Sequence, residues 1–156
     1  MANRSFNIVL FAPEIPGNTG SIGRTCVALD LNLILIKPYG FDLSEKAVRR
    51  AGLDYWKHVS IKEYESFNDF LKGEKPERDK LLFFENNGQQ SYFDANYTDD
   101  CYLIFGAETK GLPQEIYDDY HDRMFFLPMR SEHIRSLNLS NTATAAAYEC
   151  FRQLKF

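Results

Sequence analysis

Two continuous apolar runs, residues 6–12 (FNIVLFA) and 31–36 (LNLILI), are rich in Ile, Val, Leu and Phe, and the stretch between them, 18–30, is long enough for a helix. This is a βαβ pattern and predicts a parallel sheet. Further short apolar runs predict strands at 59–61, 81–84, 102–105 and 124–127. Helices are predicted at 44–51, 66–72, 113–118 and 141–154. Strands alternating with helices throughout predict an α/β fold, a parallel sheet with helices on both faces. Pro and Gly punctuate the strand ends, residues 73–80 (GEKPERDK) read as a charged surface turn, and no stretch has the composition of a linker or a repeat. A single domain over residues 1–156 is expected.

Composition narrows the class. Hydrophobic residues make up 44% of the chain and charged residues 26%, as in ordinary globular domains, and no apolar run approaches the roughly 18 residues of a membrane span. The N-terminal residues lead directly into a strand-like segment, so neither a signal peptide nor a membrane partner is expected, and the reading is cytoplasmic. Cys26, Cys101 and Cys150 are odd in number and lack a CxxC pair, which predicts buried thiols and excludes a disulfide framework. His58, His121 and His133 are scattered and off metal-ligand spacing, so no metal is expected. A net charge of −4 argues against indiscriminate nucleic-acid binding. Any such role needs a local patch, for which Arg4, Arg24, Lys37, Lys46, Arg49, Arg50 and Lys57 are the candidates, a solvated helix face being the alternative.

Three polar segments stand out: 16–24 (PGNTGSIGR), 105–113 (FGAETKGLP) and 136–143 (SLNLSNTA). The last brings Asn138, Ser140 and Asn141 to the start of a small-residue helix. Buried amides and hydroxyls need partners, so the segment reads as a loop gathered around a ligand with the other two. The glycines at 17, 20 and 23 miss the dinucleotide-binding fingerprint: the first two are one residue too far apart, and Lys37 stands where an acidic residue is required. There is no P-loop motif either. What 18–24 offers is a helix N-terminus suited to an anion, with Arg24 about one and two-thirds turns further on. Segment 105–113 ends a strand and crosses into a helix at the edge where α/β sheets bind ligands. No Gly-x-Ser-x-Gly, Cys–His pair or carboxylate dyad is recognisable. A transferase that positions two substrates needs none of these, because proximity and orientation supply much of the barrier reduction.

Four motifs in order, within residues 7–24 (NIVLFAPEIPGNTGSIGR), 37–55 (including RRAGLDY), 102–113 and 135–149, cover nearly the whole chain. On these the chain resembles the SPOUT, or trefoil-knotted, RNA methyltransferases, and among them the small enzymes that methylate the ribose 2′-oxygen of the tRNA wobble nucleotide. The resemblance implies a sheet whose C-terminal segment threads a loop as a trefoil knot. It also implies a homodimer with its active sites at the subunit interface, and S-adenosyl-L-methionine held bent in the knot, mainly by backbone groups.

The matching cofactor positions are Phe84, Gly106, Leu127 and Ser136, with Glu108, Met129, Leu137 and Asn141 beside them. Gly106 is expected to leave room where backbone meets ligand. The resemblance assigns Arg24 to the acceptor hydroxyl; a guanidinium is better suited to clamp phosphate and stabilise an alkoxide than to act as a base. RNA contacts are implied at Asn18, Arg24, Arg49, Arg50 and Tyr148. Segment 129–135 (MRSEHIR) departs from the pattern by carrying charge and a His where smaller residues are expected, which bears on RNA choice. The alternatives are a catalytically silent RNA-binding module and an enzyme of the same class acting on another RNA site.

Overall fold

The computed structural model describes residues 5–41, 43 and 55–154. The helix expected at 44–51 lies outside the described residues, as do Arg4, Lys46, Arg49 and Arg50.

Within the described residues the chain runs β1 (Asn7–Phe11), α1 (Pro16–Leu29), β2 (Asn32–Ile36), β3 (Ser60–Tyr64) and α2 (Phe67–Glu74). It continues through β4 (Leu81–Phe84), β5 (Gln90–Ser91), β6 (Tyr102–Phe105), α3 (Gln114–Tyr120), β7 (Met124–Phe126) and α4 (Leu139–Leu154). The seven strands form one sheet in the order β3-β2-β1-β6-β4-β7-β5, and every pairing is parallel.

Alternation along the strands divides the core in two. Ile8, Leu10, Leu33, Leu35, Leu82, Phe84, Leu103 and Phe105 face one layer, where they meet Ile22 and Cys26 of α1 and Ala143, Ala146, Ala147 and Cys150 of α4. Val9, Ile34, Ile36, Leu81, Phe83, Tyr102 and Ile104 face the other, against Phe70 of α2 and Ile116 of α3. Helices therefore cover both faces, as the alternation of runs predicts. The three cysteines are buried free thiols.

The differences from the expected elements have local causes. Helix α1 begins at Pro16, two residues early, because proline is accommodated in a first turn that has no use for its missing N–H. Strand β3 extends to Tyr64 through the polar sequence SIKEY, since at the sheet edge only part of each residue is buried. Strand β5 was not expected: two residues, Gln90 and Ser91, pair with Phe125 and Phe126 and carry no apolar signal. Gly23, one of the regularly spaced glycines, makes room for an indole, a Cβ there falling 2.6 Å from the Trp56 ring.

Two consequences position the site. In a parallel sheet all C-terminal strand ends share one edge, and β1, β6, β4 and β7 are neighbours, so the segments after Phe11, Phe105, Phe84 and Phe126 emerge side by side. Helix α4 also lies close on α1, across fully buried Ala143, Ala146 and Ala147, with the Thr25 and Thr144 hydroxyls hydrogen-bonded at 2.8 Å. Ala146→Leu would force methylenes into this contact and is expected to cost about 1–3 kcal/mol. Urea unfolding at fixed protein concentration checks this: the midpoint should fall with the slope unchanged, and an unmoved midpoint would show that the α1–α4 contact has slack.

Candidate active site

The three polar segments converge through a connected set of hydrogen bonds. Glu108, after β6, accepts from the backbone N–H groups of Glu14 (2.7 Å) and Ile15 (2.8 Å), which lead into α1. Glu14 reciprocates, accepting from the Thr109 N–H (3.0 Å), the Thr109 hydroxyl (2.7 Å) and the Lys110 N–H (3.2 Å). Each loop thus supplies a carboxylate for donors that the other leaves unsatisfied. Ile15 is the N-cap of α1 and has no side chain able to cap it, and the first turn carries no acidic residue. The Glu108 carboxylate instead accepts from the N–H of the N-cap residue and from the Asn18 side chain, near the positive end of the helix dipole.

The third segment joins through Asn18. Its side-chain N–H donates to Glu108 Oε2 (3.2 Å), and its carbonyl accepts from Asn138 Nδ2 (3.2 Å). Asn138 in turn caps α4, its Oδ1 accepting from the Ser140 N–H at 2.9 Å and, more weakly, from the Asn141 N–H at 3.4 Å. This explains why α4 begins at Leu139 and not at 141.

Around this clamp is a cavity of about 550 Å³, within the usual range of about 300–1,000 Å³ for small-ligand sites. Phe84, Leu127 and Leu139 give it apolar wall, the 106–111 loop gives it backbone, and Glu85, Lys110 and Arg135 give it charge. The Phe84 ring stacks on Phe105, with centroids 4.8 Å apart and planes 16° from parallel. Of the positions matched to the cofactor, Phe84, Gly106, Glu108, Leu127, Met129, Ser136 and Leu137 all line the cavity. Asn141 does not; it is exposed one turn into α4, and Asn138, Leu139 and Thr142 line the cavity in that region. At Gly106 the constraint lies in the loop itself: a Cβ would fall 2.4 Å from the carbonyl carbon of Gly111 and 2.6 Å from the nitrogen of Leu112. Gly111 has φ +66°, and its N–H and carbonyl pair with those of Ala107.

The residues assigned to RNA separate. Asn18 is 8% exposed and commits its amide to Glu108 and Asn138, so it belongs to the clamp. Arg24 is exposed and absent from the cavity wall, with its guanidinium 5.1 Å from the centre of the Tyr55 ring. Six residues of helix turn it about 120° away from Asn18, so one helix presents these two side chains to different surroundings. Tyr148 is exposed on the outer face of α4; Arg49 and Arg50 lie outside the described residues. Among the described residues no cluster of His, Cys, Asp or Glu could hold a metal ion, and no helix is long and apolar enough to cross a membrane.

Sequence reasoning missed Glu14, Glu85, Asn86, Tyr117 and Arg135. Glu14 sits between two prolines in APEIP, and its distance in sequence from its partners hides its role. Glu85 directly follows β4, and a polar residue leaving a buried strand at the ligand edge of the sheet is a signal that could have found it.

Hydrogen bonds from Thr109, chiefly its side chain and then its backbone, hold the Glu14 carboxyl below its ordinary 4.5. A carboxyl lowered in the folded state adds stability that is complete above its unfolded value and is lost as pH falls through the lowered one. Thermal melting from about pH 7 to about pH 3 should show an acid-side loss of stability that Glu14→Gln diminishes. Identical acid limbs for the two proteins would remove Glu14 from the clamp's energetics.

Comparison with known proteins identifies the family. Residues 5–148 match the SpoU rRNA Methylase family. A tRNA (cytidine(34)-2′-O)-methyltransferase of Saccharophagus degradans is 43% identical over 152 residues, covering 97% of each chain. A solved structure concerned with the 2-OH methylation of C/U34 on tRNA superposes with a TM-score of 0.87 at 39% identity over 98% of both chains. The SpoU methyltransferase AviRb of Streptomyces viridochromogenes, solved in complex with the cofactor AdoMet, superposes at 0.85 with 26% identity, over 99% of this chain and 62% of its own. The chain belongs to the SpoU methylase family.

Proposed function

We propose that the chain transfers a methyl group from S-adenosyl-L-methionine to the ribose 2′-hydroxyl of the wobble nucleotide, cytidine or uridine 34, of tRNA, acting as a cytoplasmic homodimer. The observation that carries this reading is the cavity at the clamped loops, in a chain 43% identical to an enzyme named for that reaction.

The residues present fit the cofactor. A nucleoside needs apolar surface and edge-reading polar groups, and Phe84, Leu127 and the backbone of the 106–111 loop line the cavity and supply both. Lys110 and Arg135 supply cations for an amino-acid carboxylate. When bound, S-adenosyl-L-methionine supplies an electrophilic methyl group on its sulfonium. The chain's own residues hold that end of the reaction still: Asn138, Asn18 and Glu108 fix the loops by hydrogen bonds before any ligand arrives, so little reorganisation is left for the reaction itself.

The acceptor end falls to Arg24. Its exposure and its place outside the cavity wall support a role toward RNA and not toward the cofactor. A guanidinium clamps phosphate in a bidentate fashion and stabilises oxygen as its proton leaves. A site split between cavity and distant arginine is consistent with one completed across two subunits. Exposed Ile134 and Leu137, in a segment open to solvent from Arg130 to Asn138, supply apolar surface for a second copy. The finer fold reading, a trefoil knot, rests on the path from β7 near one side of the sheet back to the α1 side, where Asn138 meets Asn18. The cytoplasmic reading rests on the tRNA substrate.

Incubation of the protein with S-adenosyl-L-methionine and unmodified tRNA, followed by nucleoside mass spectrometry, is expected to yield 2′-O-methylcytidine or 2′-O-methyluridine at position 34. Methylation elsewhere or none would reject the assignment. Arg24→Ala should abolish or sharply reduce turnover while S-adenosylhomocysteine affinity stays near wild type, and Arg24→Lys should rescue poorly because lysine offers a point charge without the planar fork. Turnover of Arg24→Ala at the wild-type rate would return Arg24 to the solvated face. Light scattering is expected to give about twice 18.1 kDa; a fully active monomer would remove the shared site.

A further inference from the structure

Two carboxylates line the cavity wall, Glu108 and Glu85, and their hydrogen bonding differs. Glu108 accepts from Glu14 N–H, Ile15 N–H and the Asn18 amide, so the loop clamp consumes it. Glu85 leaves β4 immediately after Phe84. Its Oε1 accepts from the Asn86 N–H at 3.1 Å, and its carboxylate takes a hydrogen bond from the Tyr117 hydroxyl, at the cavity wall contributed by α3. A Cβ built on Gly111 would lie 3.7 Å from both Glu85 Oε2 and the Tyr117 oxygen, which puts the pair against the inner side of the 106–111 loop. A carboxylate has about four acceptor positions. Two contacts leave Glu85 the capacity for about two more, toward the cavity.

We propose that Glu85, aimed by Tyr117, is a specificity-determining residue that accepts hydrogen bonds from the ribose diol of the cofactor. The inference rests on the S-adenosyl-L-methionine reading above and adds a side-chain contact for the sugar to the apolar wall, loop backbone and cations already described. The diol is the donor that the geometry favours. Phe84 and Phe105, stacked on each other, contribute apolar wall for the base, and Glu85 lines the same cavity at the end of β4, within reach of a sugar attached to that base. Two hydroxyls on adjacent carbons match two remaining acceptor positions. Tyr117 acts as a positioning residue, since its hydroxyl holds the carboxylate by a hydrogen bond.

Calorimetric titration with S-adenosylhomocysteine, its 2′-deoxy and 3′-deoxy forms, and 5′-methylthioadenosine, which keeps the diol but lacks the amino-acid arm, tests this without turnover. Deleting a hydroxyl should cost the wild-type protein about tenfold in affinity. Glu85→Ala, with Glu85→Gln as the isosteric variant that keeps the fold, should lose about tenfold for S-adenosylhomocysteine and become largely indifferent to the missing hydroxyl. Tyr117→Phe should give intermediate discrimination, a readout that a purely structural role would leave unmoved. The same Glu85 loss should persist with 5′-methylthioadenosine. If that loss vanishes with 5′-methylthioadenosine, Glu85 reads the ammonium group and the proposal fails. It fails equally if hydroxyl deletion costs the variants as much as the wild type. A wild-type protein that binds none of the ligands would overturn the cofactor reading itself.

Discussion

The reciprocal exchange between Glu14 and Glu108 is the constraint on which the site depends. Each carboxylate answers backbone donors of the other's loop, so the two loops are tied to one another. The exchange spans more than ninety residues of sequence and is local only because β1 and β6 are adjacent strands in parallel register, Asn7 opposite Tyr102. Sheet order thus converts two ordinary strand-to-helix turns into one rigid unit. The unit also gives the start of α1 a carboxylate that its own N-cap residue, an isoleucine with an apolar side chain, does not supply.

The unit also sets which side of α1 meets the cavity. Residues 18, 22 and 25 of α1 recur at helical spacing and face inward, toward Glu108, the core and Thr144 respectively. Arg24 is on another face, exposed beside Tyr55. Helical periodicity therefore separates Asn18, which lines the cavity, from Arg24, which is exposed and off its wall, and their different surroundings follow from their angular separation.

The architecture was legible in the sequence because buried parallel strands are continuous apolar runs, and the ligand edge was legible because such sheets gather their loops at one end. That three polar segments would meet could also be read, since Asn138, Ser140 and Asn141 have no packing rationale before an Ala-rich helix. Which donor meets which acceptor was not legible. Asn18 bonds Glu108 and Asn138, because adjacent strands β1 and β6 bring the loop after β6 to the start of α1. Asn141 was expected in the cavity and Asn138 is there, because an asparagine at the N-cap satisfies orphan N–H groups better than one inside the first turn. Gly106 was read as space for a ligand, whereas the space is taken by Gly111 and Leu112 of its own loop. At each of these positions the structure adds a partner that residue type does not disclose, because contact is decided by three-dimensional approach.

Helix α4 carries the last step, because it is fixed to α1 at two levels. Asn138 meets Asn18 at its start, and Thr144 meets Thr25 further along. The intervening and following alanines let the two helices approach closely enough for both contacts to form. A bulkier residue at the packing level would lift α4 and draw Asn138 from Asn18, and through Asn18 it would disturb Glu108 and the N-terminus of α1. The small residues near the C-terminus thus belong to the same mechanical unit as the carboxylate clamp, which is why a stretch with no catalytic group of its own stands at the centre of the site.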